Sequence, residues 1–561
     1  MVIMLFDIIF FVYYGLILLL QLFVSQYVFM AVLQFESYYV FRFVRVRFSF
    51  VIKNYITYFL MLILTFISIF FYEYNHLFLS VFLTLITLLL LSIFYIKQMK
   101  YSPLVFTKRI IRLMVSTFII DTVFVVFSLV FINVKNVVYF NIINFLISLL
   151  IMILSFYINL PIEKLVANRY IKSARNKLNE NKNLIKIGIT GSYGKTTVKE
   201  ILTKILSTQF STISTPKSYN TTLGISKAIN DNLKSTTEVF VCEMGAKNSG
   251  EILELCNLVA VDIGIVTAVG NQHIETFKSI NSVYNTKKEL PDFLYNKLCV
   301  FNLMNLYTRK MYGEFVGDRI GVFLLSKKSR LINSVLVKKA ITAVKITGNR
   351  SFKKLYLFPI KNNYYAKSIN LTENGAVFTV CYSGKNLGEI KSNLLGVHNV
   401  LNMMLAISIA VELGVSFYKI KIAIESIKSI NARLDKYITA KGAIVINNGY
   451  NSNIDSAKST LAVLKLFKDK IKVVITPGLV ETGDDFSVNR KFAAMVGAIA
   501  DEVIIVKDKN RDAIILGLSD ACFDMSKVYS VKSFSDARGV IDIAGNNYVF
   551  LIENDLPDNY K

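Results

Sequence analysis

The chain has no tryptophan, three histidines, five cysteines and seven prolines in 561 residues, and these shortages are informative. Five scattered cysteines (242, 256, 299, 381, 522) exclude a disulfide scaffold, and thiols at that density suit a reducing compartment. Acidic side chains are also scarce, with 39 Asp+Glu against 64 Lys+Arg and a net charge of +25. Glycine is almost missing from the first part: of 26, only Gly15 precedes residue 160. What is abundant is apolar, 53% of the chain, which excludes a disordered protein. A mean hydropathy of +0.48 is too high for an ordinary soluble enzyme of this size. The length suits about three to four domains of ~150 residues. The lysines are dispersed and no aromatic–basic recognition module accompanies them, so nucleic acid is not an expected partner.

Charge divides as glycine does. Residues 1–162 hold ten Lys/Arg and four acids, a balance of +6, and the other 399 residues carry +19. The first part consists of apolar runs, Val2–Val24, Tyr55–Tyr72, Leu77–Ile96, Val115–Asn133 and Val137–Leu160, each near the ~20 residues that cross a bilayer. The first run lacks a basic start and a small-residue cleavage site, so it reads as a span and not as a cleaved leader. Gln26–Phe50, mixing Tyr, Phe and Arg, suits either a loop or an interfacial helix. Arg42, Arg45, Arg47 and Lys53 follow the first span, and Lys97, Lys100, Lys108, Arg109 and Arg112 follow the third. The positive-inside rule then predicts five spans, an outer N-terminus and a cytoplasmic remainder.

Beyond Glu163 short β-branched runs alternate with amphipathic stretches, the pattern of α/β domains. Leu184–Thr190 reads as a strand, Gly191-Ser192-Tyr193-Gly194-Lys195-Thr196-Thr197 as a glycine turn, and Val198–Leu206 as a helix. Strand, glycine turn and helix form the setting of a phosphate-binding loop. Backbone N–H groups and the helix N-terminus face the anion, Lys195 reaches the terminal phosphates and Thr196 can ligate Mg²⁺. The strict spacing G-x-x-x-x-G-K-[ST] fails, because its first glycine position is Ile189.

The shortened loop Thr-Gly-Ser-x-Gly-Lys-Thr-Thr resembles the ATP-binding loop of the Mur ligase family, most closely its D-alanyl-D-alanine-adding branch. Further segments match in order: Thr215-Pro216 to Asn220 with Leu223-Gly224; Glu243-Met244-Gly245-Ala246 with Gly250-Glu251-Ile252; His273-Ile274-Glu275 with Lys287 and Glu289; Gly396-Val397-His398-Asn399-Val400 with Asn402; Arg433-Leu434; Tyr450-Asn451 with Asp455-Ser456; and Gly478-Leu479-Val480-Glu481. The match covers about 185–561. It implies a central ATP-binding α/β domain (170–430) with a mostly parallel sheet and a Rossmann-like C-terminal domain (432–561), which follow the N-terminal helical membrane domain (1–162) expected from the apolar runs.

The resemblance also implies chemistry: ATP-driven amide formation with ATP and Mg²⁺, through an acyl phosphate. Gly191 to Thr197, Asn302, His398, Asn399 and Arg433 would bind the nucleotide. Thr196 and Glu243 would hold the first metal, and His273 with a carbamylated Lys287 a second. Lys195, Lys287, His273 and Arg433 form the expected catalytic set, and Thr215, Asn220, Tyr450 and Asn451 the substrate contacts. On the residues alone, Glu243 ends an apolar strand, where open α/β sheets bind ligands. Lys287 alone is an ordinary helix-surface lysine.

Three departures stand out. Asn447-Asn448 replaces the family's Asp-Asp, which removes its acidic nucleotide contact. Ala432 replaces the glycine before the hinge Arg-Leu. The membrane segment occupies the place of the domain that docks a uridine nucleotide. The acceptor is therefore either a UDP-linked or a lipid-linked muropeptide, and the amine either D-alanyl-D-alanine or another, including ammonia from a glutaminase partner. A nucleotide-gated membrane receptor or transport subunit is the alternative from another class. The bacterial inner membrane is the expected location, with cell-wall synthesis enzymes as possible partners.

Overall fold

A computed structural model describes residues 2–35, 38–41, 43–44, 63, 67, 86, 104–131, 140–216, 219–270, 277–325, 361–430, 433–449, 453–480 and 484–554. Two compact units result, one built on Met1–Asn168 and the other on Arg169–Pro557.

The first unit contains α1 (Val2–Phe35), α2 (Lys108–Phe131) and the first part of α3 (Phe140–Glu180). Among the described residues, two stretches are long and apolar enough to cross a bilayer, Lys108–Phe127 and Ile147–Glu180. Of the five expected runs, Tyr55–Tyr72 and Leu77–Ile96 lie outside the described residues except at positions 63, 67 and 86. Gln26–Phe35 continues α1 and is not a separate interfacial stretch. Lys108, Arg109 and Arg112, expected in a loop, form the opening turns of α2. Glu163 answers them from α3: Arg112 lies 2.6 Å from its carboxylate, while the Arg109 guanidinium sits 3.6 Å above the Tyr38 ring. Phe29, Ile110, Leu113 and Met152 pack together as part of this unit's core.

The described residues of the second unit form two sheets. The larger is built from β1 (Ile185–Thr190), β2 (Thr212–Ser214), β3 (Val239–Glu243), β4 (Ile263–Val266), β5 (Leu298–Asn302), β6 (Arg319–Leu324), β7 (Tyr364–Thr372), β8 (Gly375–Tyr382) and β9 (Lys385–Ser392). Their order is β2-β3-β1-β4-β5-β6-β7-β8-β9. Pairing is parallel as far as β7 and antiparallel from β7 to β9. Helices cover both faces, as buried parallel strands require. On β3, Val239 and Val241 join the core lined by Ile201 and Leu202 of α4 (Lys195–Leu206) and Met403 of the later helix 397–412. Phe240 and Cys242 join the opposite core, with Ile225 of α5 (Thr222–Asn232) and Leu255 of α6 (Glu251–Val259). The two-residue period of a strand sorts the side chains this way. Also in this part are α7 (Ile280–Phe293), α8 (Leu306–Glu314), α9 (Val397–Glu412) and α10 (Phe417–Glu425).

The smaller sheet comprises β10 (Asp435–Ile438), β11 (Ile444–Asn448), β12 (Ile471–Thr476), β13 (Glu502–Val506), β14 (Val528–Val531) and β15 (Tyr548–Glu553), in the order β10-β11-β15-β12-β13-β14. Only β10 runs antiparallel to its neighbour. The helices between strands are α11 (Ile454–Leu464), α12 (Asp485–Gly497), α13 (Arg511–Asp520) and α14 (Phe534–Ile543). This is the open parallel arrangement that alternating strand and helix patterns anticipate.

Candidate active site at the phosphate loop

Residues 191–194 leave the C-terminal end of β1 and feed straight into α4, with Gly194 at its N-cap in the left-handed region (φ 84°). Ile189, where the strict loop pattern wants glycine, is still strand and fully buried, so the loop starts only at Gly191. Gly191 has φ 147°, and a side chain there would overlap the Thr267 hydroxyl and approach the Ala268 backbone to 2.9 Å. The loop is tied to the turn after β4. Ser192 N donates to Ala268 O (2.7 Å), Gly270 N donates to Ser192 Oγ (3.1 Å), and Asn402 of α9 stands over Gly194. Lys195 Nζ folds back to Gly191 O at 2.7 Å. Burial lowers its pKa most, Glu243 opposes that, and the Arg433 cation lowers it further. Two cations therefore converge near the loop from distant parts of the chain.

Glu243, 2% exposed, ends β3 beside β1. Thr196 Oγ1 donates to its Oε2 at 2.9 Å, and Asn220 Nδ2 donates to its Oε1 at 3.4 Å. Its backbone N–H donates to Thr215 Oγ1 at 3.1 Å. Lys199, one turn into α4, has a fully buried side chain, with Nζ 2.7 Å from Thr215 O and 3.6 Å from Glu243 Oε2. The structure thus brings Thr196, Thr215, Asn220 and Glu243 together. It adds Lys199, which sequence reasoning missed. Its burial on the inward face of an amphipathic helix was the available signal.

Lys287 is no surface lysine: it is 3% exposed on α7 with Nζ 6.0 Å from the Phe277 ring centroid. Burial, then the Lys195 charge, pulls its pKa down to about 7, against the opposing effect of Glu289 and Glu251. Glu289 itself receives Gly250 N (2.7 Å) and Leu253 N (3.0 Å), satisfying the N-terminus of α6. Asn302 and Asn399 hold backbone: Asn302 Nδ2 donates to Thr267 O (2.7 Å) and Asn399 Nδ2 to Leu395 O (2.8 Å). The imidazole Nδ1 of His398 is buried, without a hydrogen-bond partner among the described residues, and burial lowers its pKa to about 4. His273, Tyr450 and Asn451 lie outside the described residues.

Comparison with known proteins agrees with this geometry. Residues 189–410 match the family "Mur ligase middle domain". The UDP-N-acetylmuramoyl-tripeptide--D-alanyl-D-alanine ligase of Buchnera aphidicola is 25% identical over 347 residues, 61% of this chain and 66% of that protein. The enzyme of that name from Bacillus subtilis is 25% identical over 53% of this chain and 57% of its own length. The chain thus spans between half and two thirds of these relatives. Among solved structures, MurF from Acinetobacter baumannii superposes with a TM-score of 0.55 at 20% identity, covering 69% of this chain and 77% of that one. MurF from Thermotoga maritima, in complex with ADP, gives 0.54 at 20% identity, covering 69% and 80%. At these identities the superpositions establish the fold. The likeness to the Mur ligases is thus carried by residues 189–410, the stretch similar to their middle domain.

Proposed function

We propose that this chain is a membrane-bound, ATP-dependent amide ligase of peptidoglycan precursor synthesis, joining D-alanyl-D-alanine to the carboxylate of a muramoyl tripeptide. The observation that carries this reading is the Thr196–Glu243 contact at 2.9 Å beside the phosphate loop. A hydroxyl and a carboxylate are hard oxygen donors, the kind Mg²⁺ takes together with nucleotide phosphates, so the residues present fit that ion. The Buchnera and Bacillus relatives carry the D-alanyl-D-alanine ligase name, which supports the choice of amine and acceptor.

Bound ATP and Mg²⁺ would supply the phosphoryl group that activates the acceptor carboxylate as an acyl phosphate, which the amine then displaces. The chain's own groups do the positioning. Gly191 to Thr197 offer backbone N–H groups and the N-terminus of α4 to the phosphates. Lys195 leaves Gly191 O to neutralise the developing charge, and Arg433 adds a second cation. Thr215 and Asn220 face the acceptor, joined by Tyr450 and Asn451, while Asn302, His398 and Asn399 shape the nucleotide side. Lys287, held near neutrality, is suited to adding carbon dioxide and becoming an anionic carbamate, which with His273 would hold a second Mg²⁺. The paired metal residues argue against a mere nucleotide sensor.

In this reading 1–162 is a multi-pass domain of five spans with an outer N-terminus, 170–430 is the central domain and 432–561 the C-terminal one, both cytoplasmic. Two described helices of bilayer-crossing length support the membrane assignment. The test is phosphate release by the detergent-solubilised full chain with UDP-linked or lipid-linked tripeptide, each with and without D-alanyl-D-alanine. Amine-dependent release is expected with one of the two acceptors, and its absence with both overturns the reading.

A further inference from the structure

Lys199 is the one ammonium among the described residues whose side chain is completely enclosed, and its surroundings account for it. Taking a cation out of water costs several kcal/mol unless it is paired and hydrogen-bonded. Here Nζ donates to the carbonyl of Thr215 at 2.7 Å and stands 3.3 Å from Glu200 Oε1 and 3.6 Å from Glu243 Oε2. Thr215 is gripped a second time, because its hydroxyl accepts the backbone N–H of Glu243 at 3.1 Å. Three elements close into one ring: α4, the segment after β2, and the end of β3. The ring meets the phosphate loop at Thr196, whose hydroxyl donates to Glu243 Oε2 at 2.9 Å. It joins Thr215, which opens the candidate acceptor segment, to the carboxylate that faces Thr196.

We infer that Lys199 is a positioning residue that couples acceptor binding to occupation of the metal–nucleotide site, by holding the Thr215 carbonyl and the Glu243 carboxylate to one cation. The inference rests on the ligase reading above. A carboxylate that rotates toward a metal changes its distance to the ammonium, and the ammonium carries Thr215 with it. By linkage, the same free energy must appear when the acceptor is bound first.

The test is titration calorimetry of the full chain in detergent, with UDP-muramoyl tripeptide and, in parallel, the lipid-linked tripeptide, in the presence and absence of Mg²⁺ and a non-hydrolysable ATP analogue. In the wild type, the loaded metal–nucleotide site should tighten acceptor binding at least about five-fold, the low end of ordinary coupling. Lys199→Met should still bind nucleotide, yet its coupling factor should fall close to one, and Lys199→Arg should recover part of it. If the Met variant does not melt cooperatively, Lys199→Gln, which keeps a donor for Thr215 O without the charge, takes its place. A folded uncharged variant with the wild-type coupling factor overturns the inference, as does a wild type that binds both ligands independently. A wild type that binds nucleotide but neither acceptor brings down the ligase reading instead, and this inference with it.

Discussion

Asn448 Nδ2 donates to Glu553 Oε1 at 3.0 Å, between the last residues of two adjacent parallel strands. Glu553 is fully buried, and its other oxygen accepts Thr460 Oγ1 at 2.7 Å. The asparagine that departs from the family pattern is therefore the amide partner of a carboxylate on the next strand. An aspartate there would face Glu553 with a like charge and no donor.

Asn448→Asp should destabilise the protein by at least about 2 kcal/mol, the scale of an unsatisfied buried polar group with added repulsion. The paired acids would have raised folded-state pKa values, so the loss should be full above them and shrink as acid restores a shared proton. Urea unfolding at several pH values reads this, and adding Glu553→Gln to the variant should recover stability at neutral pH.

Glu243→Gln keeps the size of the side chain and removes the charge facing Thr196. Phosphate release should fall at least ~10²-fold, with a raised Mg²⁺ requirement. A Mg²⁺ titration of the rate separates this from simple loss of protein, and Lys195→Ala serves as the control for contaminating ATPase.

Gly191→Ala should abolish nucleotide binding while leaving α2 and α3 intact. The added Cβ meets Thr267 and the Ala268 backbone, which cannot yield as a flexible side-chain tip can. Fluorescent-nucleotide binding measures the loss, and circular dichroism should show unchanged helix content.

His398 has its pKa lowered from the ordinary 6.5 to about 4 by burial. Between those values the unfolded chain binds more protons than the folded one, so stability should rise with pH from about 4 to 6.5 and be lost on acidification through that window. Denaturant midpoints across this range should show a slope that His398→Gln flattens.

Lys287, with its pKa near 7, presents enough neutral amine for its nitrogen to bond carbon dioxide and release a proton. In ¹³C-labelled bicarbonate the wild type should give a carbamate resonance that Lys287→Met lacks. Its absence from the wild type would exclude the modification.

Legibility followed the range of the interactions. Strand β1, the glycine turn and α4 follow one another in sequence, so period and turn residues announce them. The phosphate loop and Lys195 could be found for the same reason. Glu243 was legible as the acid ending an apolar run. Lys199 looked like one more lysine in a lysine-rich helix, and no local pattern showed that the amides of Asn302 and Asn399 hold the backbone at Thr267 and Leu395. The spans beyond the two described candidates rest on the apolar runs alone.

By itself the amino-acid sequence determined that an apolar, glycine-poor segment precedes an α/β chain with a phosphate loop, because composition and local periodicity report what each stretch can bury. Only the tertiary structure decided which distant groups share a charge. Parallel pairing sets Asn448 beside Glu553, 105 residues apart, and Thr196 beside Glu243, 47 apart. Such partners depend on strand order, which no local pattern encodes. In the low dielectric between strands, that order decides whether a buried carboxylate meets an amide, a lysine or a metal-facing hydroxyl.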